Sequence, residues 1–93
     1  MNNISTKTQN SLKIAVIGLG YVGLSNALAL AQNNMVIGID TVKERVEQLN
    51  KRVSFIADND IADLLKSNEI NFTASTDLEQ AIENAAFIII ATP

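Results

Sequence analysis

Cysteine, histidine and tryptophan are absent from the 93 residues. No disulfide and no thiolate nucleophile is possible, and the commonest metal ligand and general base are missing. Aromatic residues make up only 4% of the chain against 47% apolar residues, so a core must be aliphatic. Seven basic residues face ten acidic ones, a net charge of −3 with no basic cluster, so no nucleic-acid partner is expected. A free-standing hydrophobic span is missing too. Residues 14–31 are nearly uncharged, but three glycines, Ser25 and Asn26 interrupt them. Lys7 and Lys13 make a poor basic lead-in for an export signal, so no membrane association is expected. The lack of cysteine suits the cytoplasm, the expected location. Length bounds the chain to one small domain, burying about 60–68% of its unfolded surface.

Glycine is scarce but concentrated. Three of the four glycines, Gly18, Gly20 and Gly23, fall in six positions as G-x-G-x-x-G. The β-branched run at residues 13–17 reads as a strand before them, and an Ala/Leu-rich helix follows from Tyr21 to about Gln32. In that setting each glycine has its own reason. Gly18 permits a tight turn, Gly20 lets a pyrophosphate approach the backbone, and Gly23 lets helix and strand pack closely. The helix N-terminus offers unpaired N–H groups and partial positive charge to phosphates. A second buried strand, residues 35–39, ends on Asp40, about twenty residues past the glycines, where an acidic residue receives ribose hydroxyls. Its carboxylate would repel a 2′-phosphate, favouring NAD over NADP. The plainer alternatives are a purely structural turn for the glycines and a helix cap before Val42 for Asp40.

Along the rest of the chain, residues 1–12 read as a polar, disordered leader. Thr41 and Glu44 fit a capping box opening a helix to about Asn50. Residues 51–57 are irregular, with Phe55 and Ile56 folding back onto the core. Asp58 or Asn59 caps a short helix with Ile61, Leu64 and Leu65 inward. Residues 70–74 form a short strand. Thr76 and Glu79 suggest a second capping box, opening a helix to about Asn84. Residues 86–91, Ala-Phe-Ile-Ile-Ile-Ala, read as a fully buried parallel strand. The expected fold is α/β, a truncated Rossmann-type parallel sheet of four strands in order 3-2-1-4 with flanking helices. Residues 13–93 would then be the amino-terminal part of an NAD-binding domain, the fourth strand awaiting further cover.

The stretch Ile14-Ala15-Val16-Ile17-Gly18-Leu19-Gly20-Tyr21-Val22-Gly23-Leu24 resembles the opening of the UDP-glucose/GDP-mannose dehydrogenase family. Ile88-Ile89-Ile90-Ala91-Thr92-Pro93 resembles that family's fourth strand and its Ala-Thr-Pro corner. Residues 53–58 sit where the family has a Ser-Pro-Ile-x-Asp-like stretch, and residues 71–77 resemble its third strand and turn. The resemblance implies an NAD-dependent enzyme that oxidises the C6 alcohol of a nucleotide sugar to a carboxylate with two NAD, and that is a homo-oligomer at full length. It places the family's nucleophilic cysteine, catalytic lysine and sugar site beyond this chain, so the chain alone is expected to be inactive, with no catalytic residue and no metal. Carried over by position, Gly18, Leu19, Gly20, Tyr21, Val22 and Gly23 match the pyrophosphate loop and Asp40 the ribose ligand. Arg45 matches a basic residue beside the ribose, and Thr92 lies on the nicotinamide side. The plainer readings are a solvated helix residue for Arg45, a surface aromatic for Tyr21 and a strand end for Thr92. Arg52 and Phe55 depart from the glycine and proline usual in the loop, and Asn26 from a small or apolar residue in the first helix. Two alternatives stand beside this reading. One is a dehydrogenase of the hydroxyisobutyrate or phosphogluconate type, which usually has Met where this chain has Val22. The other is a non-catalytic nucleotide-binding remnant.

Overall fold

Short runs, β-branched in all but the third, set the frame. In the computed structural model, which describes residues 12–91, they form β1 (Lys13–Ile17), β2 (Met35–Ile39), β3 (Asn71–Ser75) and β4 (Phe87–Ile90). Helices α1 (Tyr21–Leu30), α2 (Lys43–Asn50), α3 (Asn59–Leu65) and α4 (Leu78–Ile82) lie between them. The expected leader, apart from Leu12, and Thr92 lie outside the described residues. Leu12 accepts the Met35 N–H at 2.8 Å and is thereby tied to the start of the sheet.

All pairings are parallel and the order is β3-β2-β1-β4, as the alternation of strands and helices predicts. Ile14 pairs with both Val36 and Phe87, which makes β1 the central rail of the sheet. Strand alternation sorts the core onto two faces. Ile14, Val16, Val36, Phe72 and Ala74 join Leu24, Ala27 and Leu28 of α1, Leu49 of α2, and Ile61 and Leu65 of α3 in the main cluster. Ala15 and Ile39 meet Ala81 of α4 in a smaller one, with Ile17, Ile37 and Ala85 half-buried against it. Phe55 and Ile56 are half-buried against the main cluster, as their apolar character in a polar segment predicts.

Two of the four helix starts, those of α2 and α4, depart from expectation by one residue. Thr41 does not cap α2. Asp40 Oδ1 takes the Val42 N–H at 2.9 Å, Val42 becomes the N-cap, and no side chain caps the helix. A carboxylate standing at the strand end forms this local turn ahead of the next hydroxyl. Thr76 likewise yields to Asp77, whose Oδ1 accepts from the Gln80 N–H at 3.1 Å. Asp58 caps α3 through the Ile61 N–H at 3.0 Å. Helices α1 and α4 each end two residues early and β3 begins one late, the ordinary fraying of element ends.

The fully buried fourth strand is the main correction. Phe87, Ile88 and Ile90 are 57%, 49% and 67% exposed. Strand β4 pairs only with β1, and among the described residues nothing covers its outer edge. The opposite edge is closed. The Asn50 amide pairs with Ala74 as a strand would, donating to its carbonyl at 2.9 Å and accepting its N–H at 2.8 Å. Arg52 donates from Nη2 to the Phe72 carbonyl at 3.0 Å. Arg52 also ends α2 in a left-handed conformation, φ 64°. Its N–H bonds to Leu49 O and that of Val53 to Gln48 O, the paired closure usually given to glycine. The Arg52 guanidinium also lies over the Phe72 ring, 5.8 Å from its centroid.

Candidate functional site

The loop after β1 is shaped by what a Cβ would strike. Gly18 has φ +96°, and a Cβ on it would lie 2.5 Å from the Ala91 carbonyl oxygen. Its N–H donates to Ile39 O at 2.8 Å, locking the turn across β2. At Gly23 a Cβ would sit 1.8 Å from Gly18 O, so helix and turn touch backbone to backbone. Gly20 differs, because nothing lies within 4 Å of its missing Cβ. The protein itself leaves that space open. Leu19, fully buried, points down onto β2, where a Cβ at Gly38 would come within 2.8 Å of both its methyls. Gly38 is a positioning residue that motif reasoning missed. Its signal was a lone glycine inside a β-branched run.

Gly20 is the N-cap of α1 and brings no side-chain cap, and no acidic residue stands in the first turn. The first N–H groups of a helix have no intrahelical acceptor, so they face outward with the positive end of the dipole. Tyr21 and Val22 are exposed beside them, and the Tyr21 hydroxyl donates to Asp58 Oδ2 at 3.4 Å.

Asp40 is the only buried charged residue among those described. Its Oδ1 accepts the Val42 N–H in a local turn just before α2, and no side chain caps that helix. Oδ2 receives no hydrogen bond from the described residues; Arg45 Nη1 stands 3.9 Å away. Arg45 is 47% exposed, and an ion pair so open to water contributes little stability. Its guanidinium also lies over the Phe55 ring, 5.0 Å from the centroid.

One cavity of about 520 Å³ joins these groups. It is lined by residues 18–23, Asp40 to Val42, Arg45 and Ala91, at the carboxyl ends of the strands. All of the expected site residues within the described range therefore line one space, and Thr92 lies outside that range. Among the described residues no group of acidic side chains could hold a metal, and no helix is long and apolar enough to cross a membrane.

A parallel 3-2-1-4 sheet with a glycine turn feeding an uncapped helix defines a dinucleotide-binding protein of the Rossmann type. Residues 12–93 match the UDP-glucose/GDP-mannose dehydrogenase family, NAD binding domain; the chain belongs to that family and its cofactor is NAD. It is 45% identical over 82 residues to UDP-glucose 6-dehydrogenase of Streptococcus pneumoniae, covering 88% of this chain and 21% of that protein. It is 34% identical over 83 residues to UDP-N-acetyl-D-glucosamine 6-dehydrogenase of Pseudomonas aeruginosa, covering 88% and 19%. Among solved structures, GDP-mannose dehydrogenase of Pseudomonas aeruginosa superposes with a TM-score of 0.79 at 25% identity, over 88% of this chain and 20% of that one. The chain thus spans about a fifth of the length of the curated relatives it matches.

Proposed function

We propose that this chain is the NAD-binding portion of a nucleotide-sugar 6-dehydrogenase of the UDP-glucose type. The observation that carries the assignment of residues is Asp40, a buried carboxylate with one oxygen left for a ligand, on the same cavity as the glycine loop. Residues 18–23 hold the pyrophosphate on the N–H groups of α1, Asp40 accepts the adenosine ribose hydroxyls, and Arg45 flanks that ribose. Thr92 belongs on the nicotinamide side. The donor set fits NAD: Gly20 leaves room for a phosphate where a Cβ would stand, and Asp40 Oδ2, which takes no hydrogen bond from the described residues, is left as an acceptor on the cavity. NAD supplies hydride acceptance, and residues 13–93 supply its binding and orientation as the amino-terminal part of the domain.

In the intact protein the sugar C6 alcohol is oxidised to a carboxylate, with water supplying the second oxygen and two NAD taking two hydrides. The intact enzyme is a cytoplasmic homo-oligomer, and the chain by itself is inactive. Two NADH formed per UDP-glucose by the full-length protein is the expected stoichiometry. Calorimetric titration tests the site. An Asp40→Asn variant should bind NAD about 10- to 150-fold more weakly, the equivalent of about 1.5–3 kcal/mol for hydrogen bonds to a charged group, and should discriminate less against NADP. Unchanged affinity and unchanged preference would remove Asp40 from the site.

A further inference from the structure

The contact between Arg45 and Phe55 lies at the edge of the cavity and takes no part in the binding scheme above. We propose that Phe55 is a specificity-determining positioning residue: its ring holds the Arg45 guanidinium beside Asp40 and so keeps that cation from serving a 2′-phosphate. This rests on the reading of the Asp40 end of the cavity as the adenosine end.

An arginine near the ribose carboxylate is ambiguous. With five donors in a planar fork it is well suited to a phosphate, and an arginine in this region is one way dinucleotide folds accept NADP. Asp40 alone therefore does not secure a preference for NAD if Arg45 is at liberty to turn outward. Two contacts hold it: the Phe55 ring at 5.0 Å and Asp40 Oδ2 at 3.9 Å. Neither is a hydrogen bond to the arginine, so the position depends on a stacking surface that does not itself move.

Phe55 provides such a surface. It is half-buried against the main core. The residues on either side of it are tied together, since Ser54 Oγ accepts the Ile56 N–H at 3.0 Å and donates to the Ile56 carbonyl at 3.0 Å. The ring is thus fixed from below by the core and along the chain by a side-chain turn. A cation–π contact at a partly exposed site changes an equilibrium by about two- to fivefold. Releasing Arg45 should narrow the ratio of the NADP to the NAD dissociation constant by that factor.

The test is calorimetric titration of the full-length protein with NAD and with NADP. Phe55→Leu and Phe55→Met keep apolar packing without the ring and should each narrow the ratio about two- to fivefold. Phe55→Tyr keeps the ring and should retain the ratio. In an Arg45→Gln background the same Phe55 changes should leave the ratio unmoved, because no cation remains to release. A ratio that moves by less than twofold in Phe55→Leu and Phe55→Met, or that moves equally with and without Arg45, overturns the proposal in favour of simple packing. Asp40→Asn separates the two levels. A collapsed preference there with an unmoved one in the Phe55 variants ends this proposal alone, whereas an unmoved preference in Asp40→Asn ends the assignment of the cavity on which it rests.

Discussion

The helix N-termini of this chain are finished in two different ways. Helices α3 and α4 begin on aspartates whose side chains accept backbone N–H groups, at 3.0 Å from Ile61 and 3.1 Å from Gln80. Each carries a further acid in its first turn, Asp60 and Glu79, and α2 carries Glu44 there. Helix α1 has no capping side chain and no acid in its first turn, although it is the longest of the described helices. Its start opens onto the cavity of the glycine loop; so does that of α2, which also lacks a capping side chain but carries Glu44 in its first turn. At three of the four described helix starts the chain sets its own carboxylates beside the positive end. At α1 alone among them it leaves about half an elementary charge and a turn of N–H donors uncovered. An end left bare in this way suits an anion brought from outside, which is what a pyrophosphate is.

The largest way to break this difference is to deny α1 its place. Gly23→Ala would put a Cβ 1.8 Å from Gly18 O and 3.1 Å from the Ala91 Cβ. Rotamer changes cannot relieve a clash with backbone, so β1, the turn and α1 must separate. The gain of about 1 kcal/mol in helix propensity from glycine to alanine is smaller than this cost. The expected net loss is at least about 2 kcal/mol, read by urea unfolding of the full-length protein. A variant as stable as the parent would show that the turn and helix are not packed as described.

A subtler change gives α1 what the other helices have. Val22 is 63% exposed, so Val22→Glu removes little packing and sets a carboxylate in the first turn. A Glu there interacts favourably with the helix dipole by about 0.3–1 kcal/mol, and the thermal midpoint should hold or rise slightly. The same charge would stand within a few ångströms of a bound pyrophosphate. Two like charges 4 Å apart repel by about 4 kcal/mol at an effective dielectric near 20, and exposure to water reduces that figure. A loss of NAD affinity of about tenfold or more, without loss of stability, is the expected result in titration. Equal affinity would mean that the bare helix end does not serve the phosphates.

What the sequence conveyed was whatever depends on local pattern. Strands, their order and the glycine turn follow from short apolar runs and from glycines at fixed spacing, and the place of Asp40 just past β2 follows from where that run stops. What stayed hidden depends on contacts between distant parts of the chain. Gly38 is required because Leu19 lies on it, and nothing in either segment alone reveals the pairing. Phe55 sits ten residues past Arg45 yet lies beneath its guanidinium. Arg52 occupies a left-handed helix end without being glycine because Phe72, on another strand, accepts its side chain. The capping residues expected at α2 and α4 missed because aspartate and threonine adjoin at both sites: Asp77 takes the cap from Thr76, and Asp40 forms a turn that leaves α2 without a side-chain cap. Strand β4 was read as buried because its composition is apolar, but burial also needs a neighbour, and among the described residues its outer side has none.

The smallest expected effect tests the other arm of the comparison. Asp77→Ala removes the cap of α4, leaving the Gln80 N–H without its acceptor at 3.1 Å. Removing an N-cap side chain costs about 1 kcal/mol, within a range of roughly 0.5–2. Water replaces the lost bond at this exposed position, which argues for the lower half of that range. Opposing this, α4 has only five residues and its Ala81 covers Ala15 and Ile39, so fraying of the helix uncovers the smaller core cluster. A loss close to 1 kcal/mol in urea unfolding balances the two. NAD affinity should stay within twofold, because this carboxylate serves the helix and not a ligand. If Asp77→Ala weakened NAD as strongly as Val22→Glu, capped and bare ends would be acting alike, and the distinction between them would carry no functional meaning.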